Sequence, residues 1–211
     1  MRGPSLALVL ACLLTGCPRA VPHDAGTDAG QPVDSGYDPG TGNSFEGPIV
    51  LDDQRVMELD PGRLPAGLSP CLPPHMGRVT RVADGDTLVV EGTVPEVFRF
   101  DVRMIGVDTP EVGRGGEPSD CFGDEASDFT QALRGHLVWL TFDQECRDRF
   151  DRHLAYVHIG VGAGDMWERQ LLRRGMARVL TIAPNSSYAS TFESDQAMAQ
   201  SAGTGLWSAC F

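Results

Sequence analysis

Acidic and arginine residues gather in three short blocks of this 211-residue chain. The first is Ala83-Asp84-Gly85-Asp86-Thr87. The second is Arg103 with the following Asp108-Thr109-Pro110-Glu111, and the third is Asp148-Arg149-Phe150-Asp151-Arg152-His153. Asp84, Asp86, Asp108 and Glu111, brought to one strand end, would repel one another and resist burial as anions. A hard divalent cation with oxygen ligands relieves that repulsion, and calcium is the natural choice. Gly85 permits a tight turn between the two acids, and Pro110 stiffens the segment carrying Glu111. Arg103 and Arg152 add planar guanidinium forks, each able to grip two oxygens of a phosphate. Singly these residues have plainer readings: a solvated Asp-Gly-Asp turn, a surface arginine at the start of a strand. Their combination at hairpin-compatible spacing points to a site.

Such a site needs strands to carry it. Arg78 to Val82 alternates, Thr87 to Val90 is rich in β-formers, and Val97 to Met104 places Phe98, Phe100, Val102 and Met104 on one face. Folding this pair about the Gly92-to-Glu96 turn sets Arg103 roughly opposite Asp86. Gly106 breaks the alternation, which predicts a bend that carries Asp108 and Glu111 back over the same end. Phe122 to Leu133 predicts a helix, Leu137 to Phe142 and Leu154 to Ile159 two strands. Met166 to Arg174 predicts a helix stopped at Gly175, and Phe192 to Ala202 one closed by Gly203. The order fits a small barrel with helices packed outside. Residues 46–76 show little periodicity and read as an extended lead-in, pinned by Cys71.

The N-terminus sets the address. Arg2 precedes the apolar run Leu6 to Leu14, too short to span a bilayer and shaped like a secretory signal. Leu14-Thr15-Gly16-Cys17 resembles the bacterial lipobox, which implies a signal peptide of residues 1–16 and acylation of Cys17; the alternative is an ordinary signal peptide cut nearby. Pro18 after the cysteine leans towards the outer membrane, at its periplasmic face or the cell surface. Residues 17–45, rich in Asp, Gly, Pro and Ala, read as a disordered tether. In an oxidising compartment Cys71, Cys121, Cys146 and Cys210 favour two disulfides. Zinc is the rival, but Cys146, His153 and His158 lack a zinc spacing. All 17 basic residues are arginine and the net charge is -12, which counts against a broad basic surface for holding a polyanion.

In order and spacing the three blocks resemble the thermonuclease family, the staphylococcal nuclease-like domains. Phe122-Gly123-Asp124-Glu125-Ala126 and Gly205-Leu206-Trp207-Ser208 share the likeness, which runs from Gly77 to Trp207. The resemblance implies an α+β domain over 77–211, a five-stranded OB-fold β-barrel with three packed helices. It also implies a calcium-dependent endonuclease that acts on DNA and RNA and leaves 3′-phosphates. By that likeness Asp86, Asp108 and the Thr109 carbonyl bind calcium, with Asp84 in the outer shell. Glu111 orients or deprotonates the attacking water, and Arg103 and Arg152 grip the phosphate. The family fold also suggests Cys71–Cys146 and Cys121–Cys210 as the disulfides.

Departures from the family pattern bear on substrate handling. Phe150 replaces a tyrosine beside the phosphate, and Val179 to Pro184 lacks base-stacking tyrosines. Asp151 replaces a glycine and is placed to pair with Arg152, and the loop 112–120 holds Arg114 but no lysine. The expected partners are DNA or RNA as substrate and the membrane through lipidated Cys17 alone, with the chain a monomer and no protein partner. The competing expectation is a non-catalytic OB-fold module that binds nucleic acid or protein at the cell surface.

Overall fold

The computed structural model describes residues 37–38, 42–92 and 99–211. The signal segment, Cys17, most of the tether and the 93–98 stretch of the hairpin lie outside the described residues. Five strands close into a barrel in the order β3 (His75–Asp84), β4 (Thr87–Gly92), β5 (Arg99–Met104), β8 (His153–His158), β7 (Leu137–Thr141) and back to β3. All neighbours are antiparallel except β5 and β8. Helix α2 (Gly123–Gln131) leads into β7, and α3 (Trp167–Arg173) and α4 (Ala189–Ala202) follow β8. This is the α+β barrel that the resemblance implies.

The alternation in β5 does what it predicts. Phe100, Val102 and Met104 are buried while Arg99 and Asp101 stay exposed. The inward side chains meet Leu88, Leu140 and Val157 from the other strands and Trp167, Leu171 and Phe192 from the helices. Each large apolar side chain sealed there contributes about 1.5–3 kcal/mol. Between α3 and α4 the Arg169 guanidinium forks onto buried Asp195 at 2.6 and 3.0 Å. Gly175 and Gly203, both at positive φ, end α3 and α4 at the places the sequence marks.

The lead-in is not extended throughout. It forms helix α1 (Asp53–Glu58), with the Asp52 carboxylate accepting from the Gln54 and Arg55 amides at 3.0 and 3.1 Å. Asp53 then accepts from the Leu137 amide at 3.0 Å, and Trp139 Nε1 donates to the Val56 carbonyl at 2.9 Å, which lays α1 on β7. Six residues are too few for a visible apolar period. Order also begins before residue 46. Strands β1 (Tyr37–Asp38) and β2 (Gly42–Asn43) pair, and the Asn43 amide and Nδ2 both donate to buried Asp165 Oδ1, at 3.0 and 2.7 Å. Cys71 is bonded to Cys146 and Cys121 to Cys210, the pairing the family fold suggests. Cys146 is therefore no zinc ligand, and His158 Nε2 is hydrogen-bonded to Thr141 Oγ1 at 2.8 Å.

Glu168 lies wholly inside, its carboxyl accepting from the Val157 amide at 3.0 and 3.3 Å. Burial pushes its pKa up to about 8 from an ordinary 4.5. Between those values the folded chain holds a proton that the unfolded chain has lost, so this group's contribution is full below pH 4.5 and fades as pH rises through 8. Glu168→Gln keeps an acceptor for Val157 and cannot ionise. Denaturant titrations across this range are expected to show a flatter stability profile for the variant and a gain over the native chain at alkaline pH.

Candidate active site

The turn from β3 to β4 carries Asp84, Gly85 and Asp86 on the barrel rim. Three bonds fix it. The Asp86 carbonyl accepts from the Met104 amide at 2.9 Å, the Asp86 amide donates to Asp84 Oδ1 at 3.3 Å, and Thr130 Oγ1 of α2 donates to the Gly85 carbonyl at 2.7 Å. That hydroxyl in turn accepts from Trp167 Nε1 at 3.2 Å, so both α2 and α3 hold the acidic turn. Gly85 is needed for space: a Cβ there would sit 2.7 Å from Thr109 Cγ2 and 2.8 Å from its Oγ1.

Strand β6 (Gly106–Asp108) follows Gly106, whose φ of +82° makes the expected bend, and pairs with β9 (Arg178–Leu180). The bend returns Thr109 and Asp108 to the acidic turn. The Thr109 amide donates to Asp86 Oδ2 at 2.9 Å. Arg103, opposite Thr87 in the β4–β5 register, reaches Asp86 Oδ2 at 3.1 Å with Nη1 and Asp108 Oδ1 at 2.9 Å with Nη2. Its Nη1 also donates to the Val107 and Met104 carbonyls at 2.7 and 3.1 Å. Asp86 is buried, and burial above all lifts its pKa to about 7. The Asp84 carboxylate pushes the same way, against Arg103 and the Thr109 amide.

Asp86 and Asp108 are therefore brought together across the Arg103 guanidinium. Asp84 turns to Arg114, 3.6 Å away. Glu111 stands apart. Its carboxylate has no hydrogen bond or ion pair among the described residues, and it lines a cavity of about 280 Å³ with Asp108, Thr109, Asp120 and Arg178. The two carboxylates that Arg103 bridges, Asp86 and Asp108, offer hard oxygen donors. A carboxylate as desolvated as Asp86 gains most from a cation, so the donor set fits a hard divalent ion. Among the described residues no three ligand side chains close a cage. Solvent and substrate oxygens would complete the shell of such an ion.

A larger cavity, about 500 Å³, has Arg103 on one wall and Arg152, Arg149, Phe150 and Ile182 around it. The parallel β5–β8 pairing, Val102 to His153, sets Arg152 beside this space. Asp148 aims it, accepting from Arg152 Nε and Nη2 at 2.7 Å each. Burial raises the Asp148 pKa, but the Arg152 side chain and the Arg152 and Phe150 amides outweigh it and hold the carboxyl low. Asp151 does not pair with Arg152. It sits at φ +65°, the glycine-like conformation, and its carboxylate turns to Arg147. Phe150 is 65% exposed, with the Arg149 and Arg152 guanidiniums 4.7 and 5.6 Å from its ring centre. Leu180 and Ile182 line the cavity where the sequence lacks tyrosines.

Sequence reasoning passes over Asp148, Thr130, Asp120 and Arg178. Asp148 lies four residues before Arg152, a spacing that alone signals a carboxylate–guanidinium contact. Nothing local marks Thr130 or Arg178, because their roles arise from residues distant in the chain, such as Gly85, 45 residues away, for Thr130.

Residues 101–209 match the family described as staphylococcal nuclease homologue. A thermonuclease of Staphylococcus hyicus is 38% identical over 161 residues, covering 76% of this chain and 90% of its own length. A thermonuclease of Staphylococcus intermedius is 36% identical over 130 residues, covering 61% and 74%. An endonuclease of Saprolegnia parasitica is 29% identical over 150 residues, covering 63% and 69%.

The fit of Gly85 against Thr109 can be tested directly. Gly85→Ala should force Thr109 away from the turn, cost about 1–3 kcal/mol of stability, and loosen the Thr109 amide from Asp86. Thermal melts and the exchange rate of that amide would report it; an unchanged amide would show that the turn absorbs the methyl group.

Proposed function

The chain belongs to the staphylococcal nuclease homologues, and on that premise we propose that it is a nuclease hydrolysing DNA and RNA phosphodiester bonds with calcium as its ion. The observation that carries the reading is the fork of Arg103. It lies where Asp86 and Asp108 meet and also lines the cavity bordered by Arg152.

A phosphodiester seated between Arg103 and Arg152 would have its non-bridging oxygens met by two guanidiniums fixed in advance. Arg103 is fixed by two backbone carbonyls, and Arg152 by Asp148. As water adds to phosphorus, negative charge grows on those oxygens, and donors already aimed there need no reorganisation. Asp86, Asp108 and the Thr109 carbonyl would hold the calcium, which would supply further charge neutralisation there. Glu111, exposed and without a competing side-chain partner among the described residues, is suited to accept the proton of the attacking water. The leaving 5′-oxygen departs opposite the new bond and takes a proton from solvent, which gives a 3′-phosphate and a 5′-hydroxyl. Attack within a chain, as an endonuclease, is part of this proposal.

The proposal extends to the address: an exported, monomeric lipoprotein held at the outer membrane through Cys17. Two disulfides support an oxidising compartment, and Leu14-Thr15-Gly16-Cys17 supports acylation.

Digestion of single-stranded and plasmid DNA with calcium, against a chelator control, tests the reading; chelation should abolish cutting. Glu111→Gln is expected to lower kcat by about two orders of magnitude. Arg103→Lys, which keeps a charge beside Asp86 but loses the fork, should do likewise by about the same factor. Glu111→Gln should melt near the native temperature, while Arg103→Lys, which gives up part of the fork, should melt lower. Native rates in either variant would remove that residue from its role, and binding without cleavage by the unaltered chain would point to the non-catalytic module instead.

A further inference from the structure

The segment from Glu111 to Cys121 is mostly exposed, so little apolar burial holds it. Such a segment ordinarily opens at low free-energy cost. Here Glu111 is gripped at its backbone. Its amide donates to Asp120 Oδ2 at 3.3 Å, and its carbonyl accepts from the Asp120 amide at 2.9 Å. The first turn of α2 closes on the same peptide: a Cβ on Gly123 would lie 2.4 Å from the Glu111 carbonyl oxygen. Within the loop, Ser119 Oγ accepts from the Gly113 amide at 3.0 Å and donates to Asp124 Oδ1 at 2.6 Å.

These contacts have a covalent abutment. Cys121, next to Asp120 and lining the cavity with Glu111, is bonded to Cys210. Cys210 follows helix α5 (Leu206–Ala209), and its amide donates to the Leu206 carbonyl at 3.0 Å. Leu206 is fully buried, and its amide donates to the Gly175 carbonyl at 2.9 Å at the end of α3. A Cβ on Gly205 would come within 2.4 Å of that same carbonyl oxygen. The far end of the disulfide is thus set in the packed helical layer, and its near end is one residue from the clamp on Glu111.

We infer that the Cys121–Cys210 disulfide, acting through Asp120, is a positioning brace for Glu111. It holds the Glu111 peptide in register with Asp108 and Thr109 where an exposed loop would otherwise drift. The inference rests on Glu111 serving at the attacking water, as proposed above. Asp120 and the two cysteines touch no reacting atom; they act on the placement of one that does.

Serine replacement of both Cys121 and Cys210, with Cys71–Cys146 intact, is the direct test, read as steady-state DNA digestion with calcium. The kcat is expected to fall about tenfold or more, the scale of a misplaced group, while KM stays within about twofold because phosphate binding lies with Arg103 and Arg152. Asp120→Ala leaves the disulfide in place and should show the same split if the serine variant fails to fold. Asp120→Asn retains an acceptor oxygen and should recover most of the rate. In a Glu111→Gln background, removing the disulfide should change kcat little, since the positioned group is already lost. An equal fall in both backgrounds would mean general loosening and overturn the inference, as would unchanged kcat in an active protein. A native chain that does not cut nucleic acid would instead overturn the nuclease reading, and the brace with it.

Discussion

The site turns on a half-buried guanidinium between two carboxylates. Asp86 is enclosed by the barrel rim, α2 and the returning β6 segment, where a lone carboxylate would give up its charge at neutral pH. Arg103 makes that burial tolerable, and the carbonyls of Met104 and Val107 leave its fork little freedom. Removing any one partner would leave a polar group in a poorly hydrated place, which costs more than the bond itself is worth.

The barrel exists to keep those groups in register. Arg103 stands opposite Thr87 and beside Leu154 because β5 pairs with β4 on one edge and β8 on the other. A one-residue slip in either pairing would turn Arg103 inward and Val102 or Met104 outward. The apolar faces of β5 and its neighbours forbid that slip, so core packing protects the geometry of the rim. Gly106 then supplies the single reversal that strand pairing cannot.

Much of this was legible in the sequence for physical reasons. Strand β5 announces itself because half-buried strands alternate, and α3 and α4 end at glycines because a left-handed residue is needed there. The meeting of Asp86, Asp108 and Arg103 follows from one hairpin and one bend. Helix α1 was missed because its stability comes from the Asp52 cap and from β7 rather than from a repeating apolar face. The pairing of Asp151 with Arg147 was missed because a backbone at positive φ sends the side chain away from its neighbour. Thr130 was invisible because its hydroxyl serves a turn 45 residues upstream.

The anchorage of Asn43 has a bearing on where the chain tolerates cleavage. Its amide and side chain are locked onto Asp165, and its Oδ1 takes the Val50 amide at 2.6 Å. A protease cutting between Asp38 and Gly42 would cost Asn43 its strand pairing with Tyr37 but leave its bonds to Asp165 in place. A nick just past Asn43 would strip Asp165 of two donors deep in the interior. The boundary between harmless and ruinous cleavage is thus drawn by a single asparagine.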